Sequence, residues 1–467
     1  MKIALLGGGG VRTMYFTEAV AKYASKLGVT HIEIMDNDEE KLEVFGGLAR
    51  HVAMKANGLL KIDLTTDITK AVTGADYVVT TMRVGKDEGR VKDEKIALKH
   101  GVIGQETTGA GGFSFALRTI PVMLDYCRII KEKSNNAIVF NFTNPAGLVT
   151  QAMHDAGYTN VIGVCDNPTT LKSEVAHALG LGVNNIYTRM YGLNHLSWMD
   201  SIKIKDVELI DKLLESDAFL ESSWEFGYFD KELIRLLKQI PNGYLYYYYY
   251  HEKALKNILS SGNTRGEVIL DINNKMMKRL KEIDVRKNPE EALEAYHKFL
   301  KERESSYMSI ELAGKKIQSK SFDLSSLGID GLDKGHEESA GFEGYAGVAF
   351  NYIEAVKNNR PMDIPLNVAN NGAIPGLRPE DVVEITCVVD KDGAHPAKVN
   401  SVPENNMLLI KQIKQYENLT VQAIKLRSKD LAVQALMIHP LINSYSIAKA
   451  LVEDYLTEFK DYLGEWK

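Results

Sequence analysis

The chain reads as an α/β protein, a doubly wound parallel-sheet domain over residues 1–185 followed by a largely helical α+β domain over residues 186–467. Three observations predict this. A short apolar strand, Lys2–Leu6, runs into the glycine cluster Gly7–Gly8–Gly9–Gly10 and then into helical spacing from Thr13 to Lys26. Strand-like and helix-like segments go on alternating as far as Val164, and past about residue 185 the pattern turns to helices with polar connections. Alternation of this kind needs crossover connections between parallel strands, and ligands then gather at the carboxyl ends of those strands.

The first strand, glycine turn and helix make a Rossmann-like opening, the context in which backbone amides and a helix amino terminus cradle a diphosphate. A second strand, His31–Met35, ends at Asp36, roughly 25 to 30 residues past the first glycine, where a carboxylate binds the ribose hydroxyls of NAD. Asp76 does not compete, because it begins the next strand, Asp76–Met82, and so lies at its wrong end. A helical stretch over 120–133, a strand over 137–142, a helix from Pro145 and a strand over 161–164 complete the first half. Farther on, residues 290–305 form a charged amphipathic helix. The β-rich passage Val382–Asp390 precedes a turn at Lys391–Gly393 and a closing set of helices.

Length and composition bound the function. At 467 residues the chain exceeds one average core. A hydrophobic fraction of 45% with 25% charged residues is ordinary for a globular protein, and no apolar run approaches the ~20 residues that span a bilayer. A net charge of -6 gives no electrostatic footprint for nucleic acid. Small-molecule partners are expected, with neither nucleic acid nor membrane. Met1–Leu6 runs straight into the glycines with no cleavage site of a secretory signal, which predicts a cytoplasmic protein. The three cysteines cannot all pair, consistent with free thiols in a reducing compartment. Cys127 and Cys387 sit in apolar segments and read as core.

Cys165 has polar neighbours, Asp166 and Asn167, and follows a strand. With His195, in the stretch Gly192–Trp198, it makes a thiol-imidazole pair suited to a divalent metal, with open positions for substrate and water. Joined to a dinucleotide loop, such a pair suggests hydride transfer to a cofactor while a metal stabilises the oxygen left behind. Arg83, just past a strand, presents a rigid fork for a phosphate or sugar oxygen. Arg90, Asp93 and Glu94 read equally as a solvated helix face, and Glu106 lies in the polar stretch that follows. Asn144 is placed either to cap the helix from Pro145 or to hold a ligand. Five consecutive tyrosines, Tyr246–Tyr250, cannot all face one way on a helix, so most of that run is packing.

As an ordered set, several of these stretches resemble glycoside hydrolase family 4, the NAD- and divalent-metal-dependent glycosidases. The matching stretches are Gly7–Thr13, Arg83–Gly85 with Arg90, Asp93 and Glu94, Gly101–Gly109, Thr143–Gly147, Cys165–Pro168, Gly192–Trp198 and Tyr244–Tyr248. They span residues 3 to about 270 and, with Asn370–Ile374, reach toward residue 390. The resemblance implies dimers or tetramers and a mechanism outside the usual carboxylate pair. C3 of the sugar gives a hydride to NAD, the C2 proton is removed, the aglycone is eliminated, water adds and the hydride returns.

Position by position, the resemblance implies that Cys165 and His195 hold manganese or another divalent metal. Asn144, Asn194 and Glu106 bind substrate. Tyr244 is the C2 base, and Arg265 the cation that favours its phenolate, since tyrosine titrates near about pH 10. Asp166 resembles the general acid of α-acting members, and Arg83 and Arg90 the residues that hold a sugar 6-phosphate. The subgroup signals divide. Asp166 after the cysteine leans toward phospho-α-glucosidases, whereas Gly192–Trp198 and the tyrosine segment lean toward phospho-β-glucosidases. The expected substrate is a 6-phospho-β-glucoside; a 6-phospho-α-glucoside or an unphosphorylated glycoside is the alternative. A rival class is an NAD-dependent hydroxy-acid dehydrogenase, which would accumulate NADH with substrate.

Overall fold

The structure, a computed structural model, describes residues 1–315, 317, 320, 322–323 and 346–467. Two compact units divide the chain. The first comprises Met1–Gly163, Glu252–Gly314 and Gln412–Lys467; the second comprises Val164–His251 and Lys315–Lys411. The single boundary expected at 185 is replaced by four crossings, because helices distant in sequence return to complete the first unit.

In the first unit, strands and helices alternate as β1 (Lys2–Leu6), α1 (Thr13–Leu27), β2 (His31–Met35), α2 (Glu39–Ala56), β3 (Lys61–Thr65), α3 (Ile68–Val72), β4 (Tyr77–Thr80), α4 (Lys86–Lys99), α5 (Gly109–Lys133), β5 (Ile138–Asn141), α6 (Ala146–Asp155) and β6 (Val161–Gly163). The strands lie in the order β3-β2-β1-β4-β5-β6 and pair in parallel throughout, the doubly wound order that binds dinucleotides where the winding reverses. Helices cover both faces of such a sheet, so its strands are buried on both sides and read as apolar runs. Ile3–Leu6, Val78, Val79, Val139 and Phe140 are all core. The register sets Leu6 beside both Met35 and Thr80, and Thr80 beside Asn141. Whatever follows these strands therefore emerges along one edge: the glycines, Asp36, Arg83 and Asn144. Helices Arg265–Ile283, Pro289–Ser305 and Tyr445–Glu458 also belong to this unit. Tyr296 donates to the carbonyl of Val11 at 2.9 Å and Tyr455 to that of Asp93 at 3.1 Å.

The second unit opens with α7 (Asn167–Ala178) and continues through β7 (Tyr187–Leu193), β8 (Leu196–Ile204), β9 (Val207–Glu208), β10 (Ile240–Pro241), β11 (Met362–Ala369), β12 (Val382–Asp390) and β13 (Gly393–Pro396). Within the α+β region expected after residue 185, residues 187–204 form an antiparallel hairpin that the sequence pattern does not place. Both of its faces are largely buried, so the sequence shows no clean alternation of apolar and polar residues. The β-rich passage at 382–390 is β12, antiparallel to β11 and β13. Thr386 ties it to β7, accepting from the Met190 amide at 2.9 Å and donating to the Thr188 carbonyl at 3.0 Å. Among the described residues, no helix is long and apolar enough to cross a membrane.

Candidate active site

The first unit supplies a dinucleotide loop. Gly7 and Gly8 both donate to the carbonyl of Met35, at 2.9 and 2.8 Å, closing the turn after β1. Gly7 has φ +96°, and a β-carbon there would lie 2.8 Å from the carbonyl carbon of Thr81, so only glycine fits the crossing between β1 and β4. The Asp36 carboxylate accepts from the Gly9 amide at 2.8 Å and the Asp38 amide at 2.9 Å, which places it at the end of β2 beside the loop. Arg12, at the amino-terminal cap of α1, makes no side-chain cap bond, and the first amides of such a helix are oriented for an anion. The loop, the glycine cradle and the adjacent acid fit NAD.

Past β4, a network of charges forms. Arg83 lies 3.3 Å from Glu106 and 3.5 Å from Asp87, and keeps about a quarter of its side chain exposed. Arg90 is buried; its Nε donates to Glu94 at 2.7 Å and its terminal nitrogen meets Glu106. Burial raises the pKa of Glu106, but the Arg83 and Arg90 guanidiniums overcome this and hold it well below the usual carboxylate range. The reading of Arg90–Glu94 as a solvated face is overturned, since Arg90, Asp93 and Glu94 are all buried. Asp93 takes both terminal nitrogens of Arg118, at 2.8 and 2.6 Å, and Glu94 accepts from the Gly266 amide at 2.6 Å. Arg265 starts the helix Arg265–Ile283 and donates to the carbonyls of Ser306 and Arg303, at 2.9 and 3.0 Å. Asn144 is half-buried just past β5. It does not cap α6, whose amino terminus has no side-chain cap; Asn141 instead bonds Ala146 and Thr150.

In the second unit, Cys165 and His195 come together. Sγ and Nε2 are 3.4 Å apart, and the two residues are 8% and 5% exposed. That separation suits two ligands of one divalent ion, given bonds of about 2.3 Å to sulfur and about 2.0 to 2.1 Å to nitrogen. Cys165 ends the link from β6 to α7, and His195 occupies the two-residue turn of the β7–β8 hairpin with φ 62°. Burial, followed by the nearby Glu384 and Asp166 carboxylates, pushes the Cys165 thiol up. The Tyr244 ring stacks on the imidazole of His195, with centroids 3.6 Å apart and planes within 4°. Asn194 donates to Glu384 at 2.8 Å. Asp166 precedes α7, half-buried.

Three residues here escape sequence reasoning. Glu384, on β12, accepts from Asn194 and from Ser197 at 2.8 Å each and so anchors both sides of the His195 turn. It was legible in principle as a lone acid within Val382–Val389. Glu225 accepts from Asn167 at 2.9 Å and from the Gly243 amide at 3.0 Å. Arg303, in the first unit, has its pKa pushed down to about 10 by burial and by Arg12; within a helix charged on every face it carries no signal. A separate grouping of His31, Glu33 and Asp63 on β2 and β3 is neutralised by Lys2, Lys61 and Lys70.

Comparison with known proteins accords with this geometry. Residues 2–181 match the family model described as Family 4 glycosyl hydrolase, and residues 190–442 match the Family 4 glycosyl hydrolase C-terminal domain. The chain is 32% identical to a probable 6-phospho-beta-glucosidase of Bacillus subtilis (strain 168), over 100% of this chain and 98% of that protein. It is 28% identical to the phospho-alpha-glucosidase PagL of Clostridium acetobutylicum, over 99% and 98%. The structure of the 6-phospho-beta glucosidase from Thermotoga maritima with manganese, NAD+ and glucose-6-phosphate superposes with a TM-score of 0.79 at 28% identity, covering 99% of each chain. With both domain models matched and these relatives aligned from end to end, the chain belongs to glycosyl hydrolase family 4.

Proposed function

We propose that this chain hydrolyses 6-phospho-β-glucosides with NAD and a divalent metal, manganese by preference, as its cofactors. The observation that carries the reading is the convergence of Cys165, His195 and Tyr244: a two-ligand metal position with a phenol stacked on one of its ligands. The glycine loop with Asp36 fits the nucleotide, and the relatives supply the precedent for both groups.

NAD, when bound, accepts the C3 hydride and later returns it, and the metal, when bound, acts as a Lewis acid toward the oxygen at C3 and so acidifies the C2 proton. The remaining work falls to side chains. Cys165 and His195 hold the metal. Asn144, Asn194 and Glu106 orient sugar hydroxyls, and Arg83 takes the 6-phosphate. Tyr244 removes the C2 proton onto its phenolic oxygen. Asp166 protonates the departing aglycone oxygen at C1, and water adds to the C1–C2 double bond. Arg90, locked between Glu94 and Glu106, orients the phosphate site from behind.

The β-linked reading follows the relative at 32% identity. The α-linked reading is favoured by Asp166 after the metal-binding cysteine and by the phospho-alpha-glucosidase at 28%. Nitrophenyl α- and β-glucosides, each with and without 6-phosphate, assayed with NAD, Mn²⁺ and a thiol reductant, decide between them. The expected outcome is release of nitrophenol from the 6-phospho-β-glucoside without accumulation of NADH. Net NADH production would point to a dehydrogenase.

A further inference from the structure

Glu225 is 0% exposed and lies in the second unit at the start of the turn Phe226–Tyr228. Its own amide donates to Ser223 Oγ at 3.2 Å, and its carbonyl accepts from the Tyr228 amide at 3.2 Å, so its backbone is fixed. One carboxylate oxygen, Oε1, accepts both from Asn167 Nδ2 and from the Gly243 amide. Asn167 lies two residues after Cys165, and Gly243 immediately precedes Tyr244. The approach is close enough that a β-carbon on Gly243 would lie 2.9 Å from Oε1, which accounts for glycine at that position.

The chain of bonds continues on the far side. Asn242 caps the Tyr244 amide at 2.9 Å and donates through Nδ2 to Ser197 Oγ at 3.2 Å. The Asn242 amide donates to the Ser197 carbonyl at 3.0 Å, two residues past His195. Cys165, Asn167, Glu225, Gly243, Asn242, Ser197 and His195 thus form a ring closed by the 3.4 Å thiol-imidazole contact. Glu225 is the link that joins the cysteine side to the tyrosine side. Among the described residues no cation pairs with it, and its other oxygen, Oε2, is buried without a hydrogen-bond partner there. Burial raises its pKa to about 7.

We infer that Glu225 is the positioning residue that sets the Tyr244 turn against the Cys165–Asn167 turn, acting through one acceptor oxygen. The inference deepens the proposed function and rests on it for the metal position at Cys165 and His195 and for the role of Tyr244. Both donors require an oxygen in this place and neither requires a charge, so Glu225→Gln supplies what Glu225→Ala removes. Supporting contacts of this kind are typically worth about 10- to 100-fold in metal affinity or turnover.

The test measures Mn²⁺ affinity by electron paramagnetic resonance without substrate, kcat and KM, and solvent-deuterium incorporation at C2, with Tyr244→Phe in parallel. Glu225→Ala is expected to weaken Mn²⁺ binding by about 10-fold or more and to lower kcat and C2 exchange by a similar factor, with KM changed far less. Glu225→Gln is expected to restore all three. A folded Ala variant with wild-type Mn²⁺ affinity and C2 exchange overturns the inference, as does a Gln variant as impaired as the Ala variant. Should the Ala variant not fold, Glu225→Asp replaces it; its carboxylate is one methylene short of both donors, and wild-type behaviour there is equally fatal. If Tyr244→Phe exchanges C2 normally, the base assignment falls, while the Mn²⁺ arm still decides Glu225.

Discussion

The Tyr244 ring lies flat on His195, and the same ring without its hydroxyl keeps that stack. Tyr244→Phe is therefore expected to bind NAD and Mn²⁺ and to transfer the C3 hydride, yet to lose most C2 exchange and most cleavage. Wild-type deuterium incorporation would move the base elsewhere, with Tyr246 or Asp166 next. The two arginines of the first unit separate in the same manner. Arg83 keeps solvent-facing surface, whereas Arg90, itself buried, commits its guanidinium to Glu94 and Glu106. Arg83→Ala should weaken phosphorylated substrates selectively by about 10- to 100-fold, the equivalent of about 1.5 to 3 kcal/mol. Arg90→Ala should instead cost about 3 to 5 kcal/mol of stability in urea unfolding, because the buried Glu94 loses its cationic partner and Glu106 is left with Arg83; equal selectivity from both variants would refute the division. Glu225 makes a pH prediction. Burial holds its carboxyl at about 7 in the folded chain, above the about 4.3 of an unfolded glutamate. The native state therefore keeps a proton that the unfolded state gives up, and stability is lost as pH rises between those two values. Glu225→Gln has no such proton and should gain on the order of 3 kcal/mol relative to wild type between pH 4 and pH 8. Parallel denaturation curves at the two pH values would disprove it.

At the level of elements, legibility follows how each surface is buried. β1, β2, β4, β5 and β6 announced themselves because parallel strands covered on both faces are apolar throughout and end in glycine or polar turns. The proposed ligand positions Asp36, Arg83, Asn144 and Cys165 came with them, since each follows a strand. α4 was harder to read because its buried face sets Arg90, Asp93 and Glu94 among only Gly89 and Ala97; ion pairs replace the apolar stripe on which helical reading depends. The β7–β8 hairpin hid for a related reason, being largely buried on both faces while carrying Thr188, Ser197 and Ser201 inside, and with it went the geometry of His195 and the anchor at Glu384. Glu225 has no local pattern to mark it, and Glu384, though a lone acid in an apolar strand, lies far in sequence from the Asn194 and Ser197 that it holds. The turn after β1 gives the sharpest test at this scale. Gly7→Ala places a β-carbon against the Thr81 backbone at a positive φ, a conformation costing on the order of 1 to 3 kcal/mol. It should reduce NAD affinity in calorimetry while leaving Mn²⁺ binding at Cys165 and His195 unchanged. Loss of both together would mean that the turn supports more than the nucleotide.

For the whole molecule, the discontinuous units have a consequence for where the chain can be cut. Residues 1–185 carry all six parallel strands and every residue of the glycine loop, so a reading from sequence alone treats them as a free-standing nucleotide domain. Within the first unit, however, the later helices complete the core. Tyr296 closes on Val11 beside the glycines, Gly266 satisfies Glu94, Tyr455 satisfies the Asp93 carbonyl, and Phe459 lies 3.8 Å under the Arg118 guanidinium. Removing residues 252–314 and 412–467 would expose apolar faces of the fragment and strip partners from its buried Glu94 and Arg118, each loss costing about 1 to 3 kcal/mol or more against a total stability of about 5 to 15 kcal/mol. A fragment of residues 1–185 is accordingly expected to melt without a sharp transition, to bind a hydrophobic dye and to hold NAD at least about 100-fold more weakly than the full chain. Calorimetry and NAD titration on the fragment and the full chain test this. A fragment that melts cooperatively and binds NAD with full affinity would show that the returning helices are not needed for the integrity of the nucleotide-binding sheet.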